Sequence, residues 1–359
     1  MRVLFATTRG AGHVGPLVPF AHACERAGHD VLIAGPPAVS TLAYRAGLRF
    51  RAVPGAPAAT VDAAFAPVWS QQASVDHVVR ELFVGLYARA ALPGMLATIA
   101  RWRPDVVVRE TMEFASAVAA LEYGVPQVRV GVHLESRIDG SGMLEEIAAP
   151  ALGIAADELR DSPVLTRAPA SLNEPDEPVL RFRTDAAPRR REPLVYVSFG
   201  SEAPASEHFP GVYRRAIDAL ADLPVDALVT IGDRRDPAEL GPLPPNVRVE
   251  RWVAQADVMP RVAVVVSHGG SGSTLTALAA GVPQAFVPLF VDGPRNAQRV
   301  AGAGAGVVVD DLARDVRRLL DDPGYMWAAA RIAAEIAALP PTDAAVDVIQ
   351  RSAAGHAIR

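Results

Sequence analysis

A rhythm runs through this chain, breaks off, and then starts again. Short apolar runs rich in β-branched residues alternate with segments of helical spacing, and after an interruption the alternation resumes at Leu194. In the first half the strand-like runs are Arg2 to Ala6, Asp30 to Ala34, Leu48 to Val53, Asp105 to Val108 and Val128 to Val132. Helical periodicity is expected from Val14 to Ala27, Ala38 to Ala46, 73–101 and Met112 to Glu122; within 73–101, Val75, Val78, Val79, Leu82, Phe83 and Leu86 share a side. In the second half, strands are predicted at Leu194 to Phe199, Ala227 to Ile231, Val247 to Trp252, Val262 to Ser267, Gln284 to Val287 and Gly306 to Val309. Helices are predicted at 207–222, 271–280 and 294–303, and three short helices close the chain. Strands that alternate with helices build a parallel sheet, because each crossover lays a helix on one of its faces. Two such series predict two doubly wound α/β domains whose strand ends face a cleft. The length of 359 residues agrees, at ~150 residues per domain. The predicted division is 1–190, ending in an irregular linker, then 191–340, with a helix in 341–359 packing back on the first domain.

The interruption at 133–192 carries Pro150, Pro163, Pro169, Pro175, Pro178, Pro188 and the run Arg189, Arg190, Arg191, and is predicted to be irregular with one or two short helices. Composition narrows the function. Half the residues are hydrophobic and 21% are charged, enough to bury large cores and to exclude disorder as the main state. A net charge of −5 argues against a nucleic-acid partner. Cys24 stands alone, so no intrachain disulfide or cysteine metal cluster can form. All 35 basic residues are arginine. Without lysine there is no Schiff base, P-loop lysine or Ser-Lys hydrolase, and a phosphate must be held by arginine, histidine or backbone N–H groups. Val3 to Ala6 is too short for a signal peptide, and the uncharged stretch 262–291 is broken by glycines, serines and Pro283. A soluble cytoplasmic protein with no membrane partner is expected.

The first candidate site is the loop Thr7 to Gly15, TTRGAGHVG. Gly10, Gly12 and Gly15 match the dinucleotide pattern G-x-G-x-x-G after a strand. Against that reading, the second strand ends in Ala34, Gly35 and Pro36 with no acid for a ribose, and the imidazole of His13 lies where a pyrophosphate would approach. A second reading makes His13 a general base kept neutral at a helix N-terminus. A third makes it a structural histidine. A catalytic imidazole needs a carboxylate to orient it. Glu110, after the strand at 105–109, is the first candidate and Glu113 the second; each could instead be a solvated loop acid.

The strongest signal lies between Val247 and Val300. A strand at 262–267 runs into His268, Gly269, Gly270, Ser271, Gly272, Ser273 and Thr274, which open an alanine-rich helix. Small residues there expose several N–H donors at the positive helix end, an arrangement suited to an anion. A tight turn made for packing would look similar. With Trp252, Gln255, the later Pro-Leu-x-x-Asp and Asn296, the segment resembles the donor-binding signature of inverting GT-B glycosyltransferases, family-1-like, of the bacterial branch that decorates antibiotics and other natural products. The G-x-G-H loop and the strand PDVVVRE match that family too, and the resemblance covers nearly the whole chain.

The resemblance implies a GT-B fold of two Rossmann-like domains, acceptor on the first and donor on the second. It implies that Trp252 and Val253 pack beside the nucleotide base, with Gln255 near the ribose. Gly200 and Ser201 would touch the phosphates, while His268, Gly270, Ser271, Gly272 and Ser273 would hold the diphosphate. Asp292 would meet the sugar hydroxyls, with Asn296 supporting its loop. Where the family commonly has Gln after that Asp, this chain has Gly293, so one sugar contact is missing. The connection at 133–192 also looks short for the family. Trp69, Phe83 and Tyr87 are acceptor-side candidates, with ordinary core as the alternative. The implied reaction transfers a sugar, expected to be a deoxysugar, from a TDP or UDP donor to a hydroxyl of a small apolar aglycone. His13 takes the proton and the anomeric carbon inverts. No Asp-x-Asp triplet occurs, so no metal and no cofactor beyond the donor is expected. The rivals are a nucleotide-linked oxidoreductase using the first glycine loop, a catalytically silent helper protein, and a sugar-nucleotide epimerase; a homodimer is one assembly left open.

Overall fold

The computed structural model describes residues 1–69, 75–134, 144–173, 178–187, 192–289 and 292–356. The chain divides into two compact units. One comprises Met1–Ala168, Asn173–Arg183 and Pro340–Arg359; the other comprises Pro169–Leu172 and Thr184–Leu339.

In the first unit the strands are β1 (Arg2–Ala6), β2 (Asp30–Gly35), β3 (Phe50–Ala52), β4 (Val106–Glu110), β5 (Gln127–Val130), β6 (Val164–Thr166) and β7 (Val179–Arg181). They form one parallel sheet in the order β3-β2-β1-β4-β5-β6-β7. Because strand side chains alternate, each strand feeds two cores. Leu4, Ala6, Leu32, Ala34 and Val107 face a layer that includes Val79, Leu82, Met95 and Ile99. Val3, Phe5, Val31, Ile33 and Val108 face Leu17 and Phe20 of helix Ala11–Arg26, and on the same side lie Ala345, Val346 and Ile349 of helix Ala345–Ala353. Burial of each large apolar side chain contributes about 1.5–3 kcal/mol.

Three departures from the sequence expectation matter for the site. The first helix begins at Ala11, not Val14, with Gly10 before it at φ 106°, so His13 lies in the first helical turn and not in a loop. The interruption at 133–192 holds, besides helices Leu144–Leu152 and Ala156–Arg160, the strands β6 and β7, which extend the sheet. Third, Arg109 and Arg129, register partners on β4 and β5, are wholly buried. An Arg109 Nη–H donates to the Leu159 carbonyl at 3.0 Å, and Arg129 donates to the carbonyls of Arg160 and Ser162 at 2.8 Å each. These bonds offset the desolvation cost of the guanidiniums and tie segment 156–162 to the sheet.

Helix Val78–Trp102 is long and apolar enough to cross a membrane, with mean hydropathy 1.5. Its Val79, Leu82, Val84 and Met95 are nonetheless fully buried within the first unit, so it is part of that unit's core. Its first part, Val78–Ala88, is wound as a π-helix, a form that recurs at functional segments.

The second unit is another parallel sheet, of β8 (Leu194–Ser198), β9 (Asp226–Thr230), β10 (Val247–Glu250), β11 (Val262–Ser267), β12 (Gln284–Phe286) and β13 (Gly306–Val308), in the order β10-β9-β8-β11-β12-β13. Tyr196, Leu228, Val262, Val265 and Ala277 share one of its cores. In both sheets the strand order reverses between the unit's first and fourth strands. Loops at the carboxyl ends of those two strands are where doubly wound sheets bind ligands.

Candidate active site

At the switch point of the first unit, β1 leads to His13 and β4 ends in Glu110. The His13 Nδ1 and Glu110 Oε1 are 3.1 Å apart, and the carboxylate is wholly buried while the imidazole is 19% exposed. Glu110 is held by the backbone as well. The Thr8 N–H and Oγ–H donate to Oε1 at 3.2 and 2.7 Å, and the Met112 N–H donates to Oε2 at 2.6 Å. Burial alone raises a carboxyl, but the His13 charge and the bonds from His13, Thr8 and Met112 outweigh it and hold Glu110 below the ordinary carboxylate range. An ionised carboxylate only accepts, so Nδ1 carries the proton donated to Glu110. In the neutral ring Nε2 then keeps the lone pair that a general base requires.

Glu113 is not the partner. It accepts from the Ala115 and Ser116 N–H groups at the start of helix Ala115–Glu122, and desolvation pushes it up to about 7. Neither acid is a solvated loop residue. The ring of Phe83 lies 5.4 Å from that of His13, and Tyr87 meets Phe83 edge-on at 5.6 Å. Both are 9% exposed and belong to the core, and Phe83 also borders His13. The side chain of Trp69 lies outside the described residues. The Arg9 guanidinium, on the loop before the first helix, stands 5.8 Å from the centre of the Phe65 ring.

At the switch point of the second unit, β8 runs into Gly200 and Ser201, and β11 runs into His268 and helix Ser271–Ala279. The imidazole of His268 is wedged between two glycines. A Cβ at Gly200, which has φ +80°, would come within 2.7 Å of the ring, and one at Gly270 within 2.3 Å. Burial lowers the His268 pKa against the opposing pull of Asp292 and the Ser198 backbone, so the ring is neutral near pH 7. Trp252, just past β10, is 54% exposed, which excludes ordinary core. Val253 packs against the sheet core, and the Gln255 amide donates to Ser273 Oγ at 3.2 Å.

At the other side of the same helical turn, Asp292 Oδ2 accepts from the Ser271 N–H at 3.2 Å and the Ser271 Oγ–H at 2.7 Å. Asn296 Nδ2 lies 3.0 Å from that oxygen and 2.7 Å from the Gly269 carbonyl, so it supports the loop. Both Ser271 donors therefore go to Asp292. Gly293 has a steric reason: a Cβ there would sit 2.4 Å from the His268 carbonyl oxygen, so this backbone cannot carry the glutamine common at that position. Among the described residues no three His, Cys, Asp or Glu side chains gather as a metal set.

Two family models match the chain. The N-terminal domain of erythromycin biosynthesis protein CIII-like proteins matches residues 22–151, and the C-terminal domain matches 214–351. L-demethylnoviosyl transferase of Streptomyces niveus is 33% identical over 377 residues, 96% of each chain. The chain belongs to the natural-product glycosyltransferases. Elloramycin glycosyltransferase ElmGT of Streptomyces olivaceus, another member, is 32% identical over 96% of each chain. The crystal structure of SsfS6 of Streptomyces sp. SF2575, complexed with thymidine diphosphate, superposes with a TM-score of 0.78 at 27% identity, covering 98% of this chain and 99% of that one. The family has the GT-B fold, and the two parallel-sheet units are its two Rossmann-like domains. A nucleotide-linked oxidoreductase is thereby set aside.

Proposed function

We propose that this glycosyltransferase moves a deoxysugar from a pyrimidine nucleoside diphosphate, of the thymidine type, to a hydroxyl of an apolar aglycone, with inversion at the anomeric carbon. The observation that carries the chemistry is the bond between His13 and the buried Glu110 at the first switch point. His13 Nε2 takes the acceptor proton as the acceptor oxygen bonds to the anomeric carbon. The bond from that carbon to the diphosphate oxygen breaks, and the nucleoside diphosphate leaves with the electron pair. Glu110 stabilises the imidazolium that forms. Leaving-group charge is met by the N–H groups at the start of helix Ser271–Ala279, donors already in place before the reaction.

The thymidine type is carried over from SsfS6, described as complexed with thymidine diphosphate. A deoxysugar fits a sugar subsite that offers the Asp292 carboxylate but has no side chain at Gly293, because a hydroxyl buried without a partner costs about 1–3 kcal/mol. Phe83 and Tyr87 form the acceptor wall nearest the base.

Thermal shift with dTDP, UDP, ADP, NAD and NADP tests the donor class. A ligand at 100 times its Kd adds about 2.7 kcal/mol to the native state. Stabilisation by dTDP, with UDP weaker, is expected. Selective stabilisation by NAD or NADP would overturn the donor assignment.

A further inference from the structure

We infer that Ser271 is a positioning residue that fixes the Asp292 carboxylate for the donor sugar and is not itself a ligand of the diphosphate; the inference rests on the donor site proposed above. A serine has one backbone N–H and one hydroxyl proton. Both go to Asp292 Oδ2, at 3.2 and 2.7 Å, while the Ser271 oxygen lies 3.1 Å from Asn296 Nδ2 and accepts from it. Nothing on Ser271 is left to donate to a phosphate. Asn296, which is 2% exposed, fixes the arrangement from behind through the Gly269 carbonyl.

Electrostatics gives the arrangement a purpose. Asp292 would carry its negative charge beside a leaving group that is also an anion, and a carboxylate loose there repels the donor. Held on Oδ2 by both Ser271 donors, with one Asn296 N–H shared between that oxygen and Ser271 Oγ, at the positive end of a helix, it keeps a fixed distance and presents Oδ1, which accepts none of these bonds, to a sugar hydroxyl. The first helical bond runs from the Thr274 N–H to the Gly270 carbonyl, so the N–H groups of Gly272 and Ser273 remain for the diphosphate. Ser273 accepts from Gln255 on the nucleoside side. One helical turn thus orders the donor, with sugar at Ser271, phosphates at Gly272 and Ser273, and pentose at Gln255.

The test is calorimetric titration of the full chain with dTDP and with dTDP-L-rhamnose, which needs no acceptor and no turnover. Ser271→Ala removes one hydrogen bond to a charged group and should weaken dTDP-L-rhamnose roughly tenfold. Affinity for dTDP should change less than twofold, and Ser271→Thr should restore the sugar-dependent part. In the Asp292→Asn background, Ser271→Ala should cost nothing further, a coupling that a merely structural role would not show. If Ser271→Ala does not fold, Asn296→Ala releases the same carboxylate and should give the same split. An equal tenfold loss of dTDP would make Ser271 a diphosphate ligand and overturn the inference, as would unchanged affinity for both ligands. Failure of the wild-type chain to bind either one would sink the donor site itself.

Discussion

At the scale of single residues, the account turns on three acids and two histidines whose surroundings assign them different work. His13→Ala should lower turnover on the order of 10²–10⁴-fold, the usual worth of a general base, while dTDP affinity stays as it was. Glu110→Gln keeps the shape but offers an amide where an anion is needed, and should cost roughly 10²-fold in rate. Stability against pH separates the two carboxyls at the end of β4. Glu110 is held below its unfolded pKa, so its contribution is present above about pH 4.3 and is lost as pH falls through the folded value. Glu113 is pushed the other way, up to about 7. Between about pH 4.3 and 7 the native state keeps a proton that the unfolded chain has lost, so stability declines as pH rises through that window and then levels off. Glu113→Gln, which keeps an acceptor for the Ala115 and Ser116 N–H groups, should remove that decline. It should stabilise the protein at pH 8 by up to about 3 kcal/mol in chemical denaturation. An unaltered pH profile would contradict the assignment.

At the scale of elements, the first turn of helix Ser271–Ala279 is where function and stability part. A Cβ at Gly272 would meet no atom of the described protein within 4 Å, yet in the proposed donor site its N–H faces the diphosphate. Gly272→Ala should therefore raise the melting temperature, by up to about 1 kcal/mol of helix propensity, while dTDP affinity falls. A gain in stability with unchanged affinity would mean that the diphosphate does not approach there. Much of this layout could be read in the sequence. The strands that flank both switch points are β-branched apolar runs, and His13 and Glu110 stand at the ends of two of them. The start of the first helix could not be read, because Gly10, Gly12, Gly15 and Pro16 look like loop residues, whereas only Gly10 lies outside the helix. Strands β6 and β7 escaped because three residues between prolines carry no period. The Ser271–Asp292 bond joins positions 21 apart, and no local pattern marks it.

At the scale of the whole molecule, the proposed function puts the base, His13, on one unit and the donor site on the other. Ligand-induced protection should divide the same way. In hydrogen exchange, dTDP should slow the amides at the start of helix Ser271–Ala279 and after β10, and leave those of β1 and β4 unchanged. Protection centred on Gly10 to Gly15 would place the nucleotide on the wrong unit. The most direct test of the central claim is the rate of dTDP release from a dTDP-deoxysugar, with and without a panel of polycyclic aglycones, by the wild-type chain and by His13→Ala. The account predicts aglycone-dependent release that falls at least about 10²-fold in the variant while dTDP binding is kept. Equal rates from the two chains would contradict it.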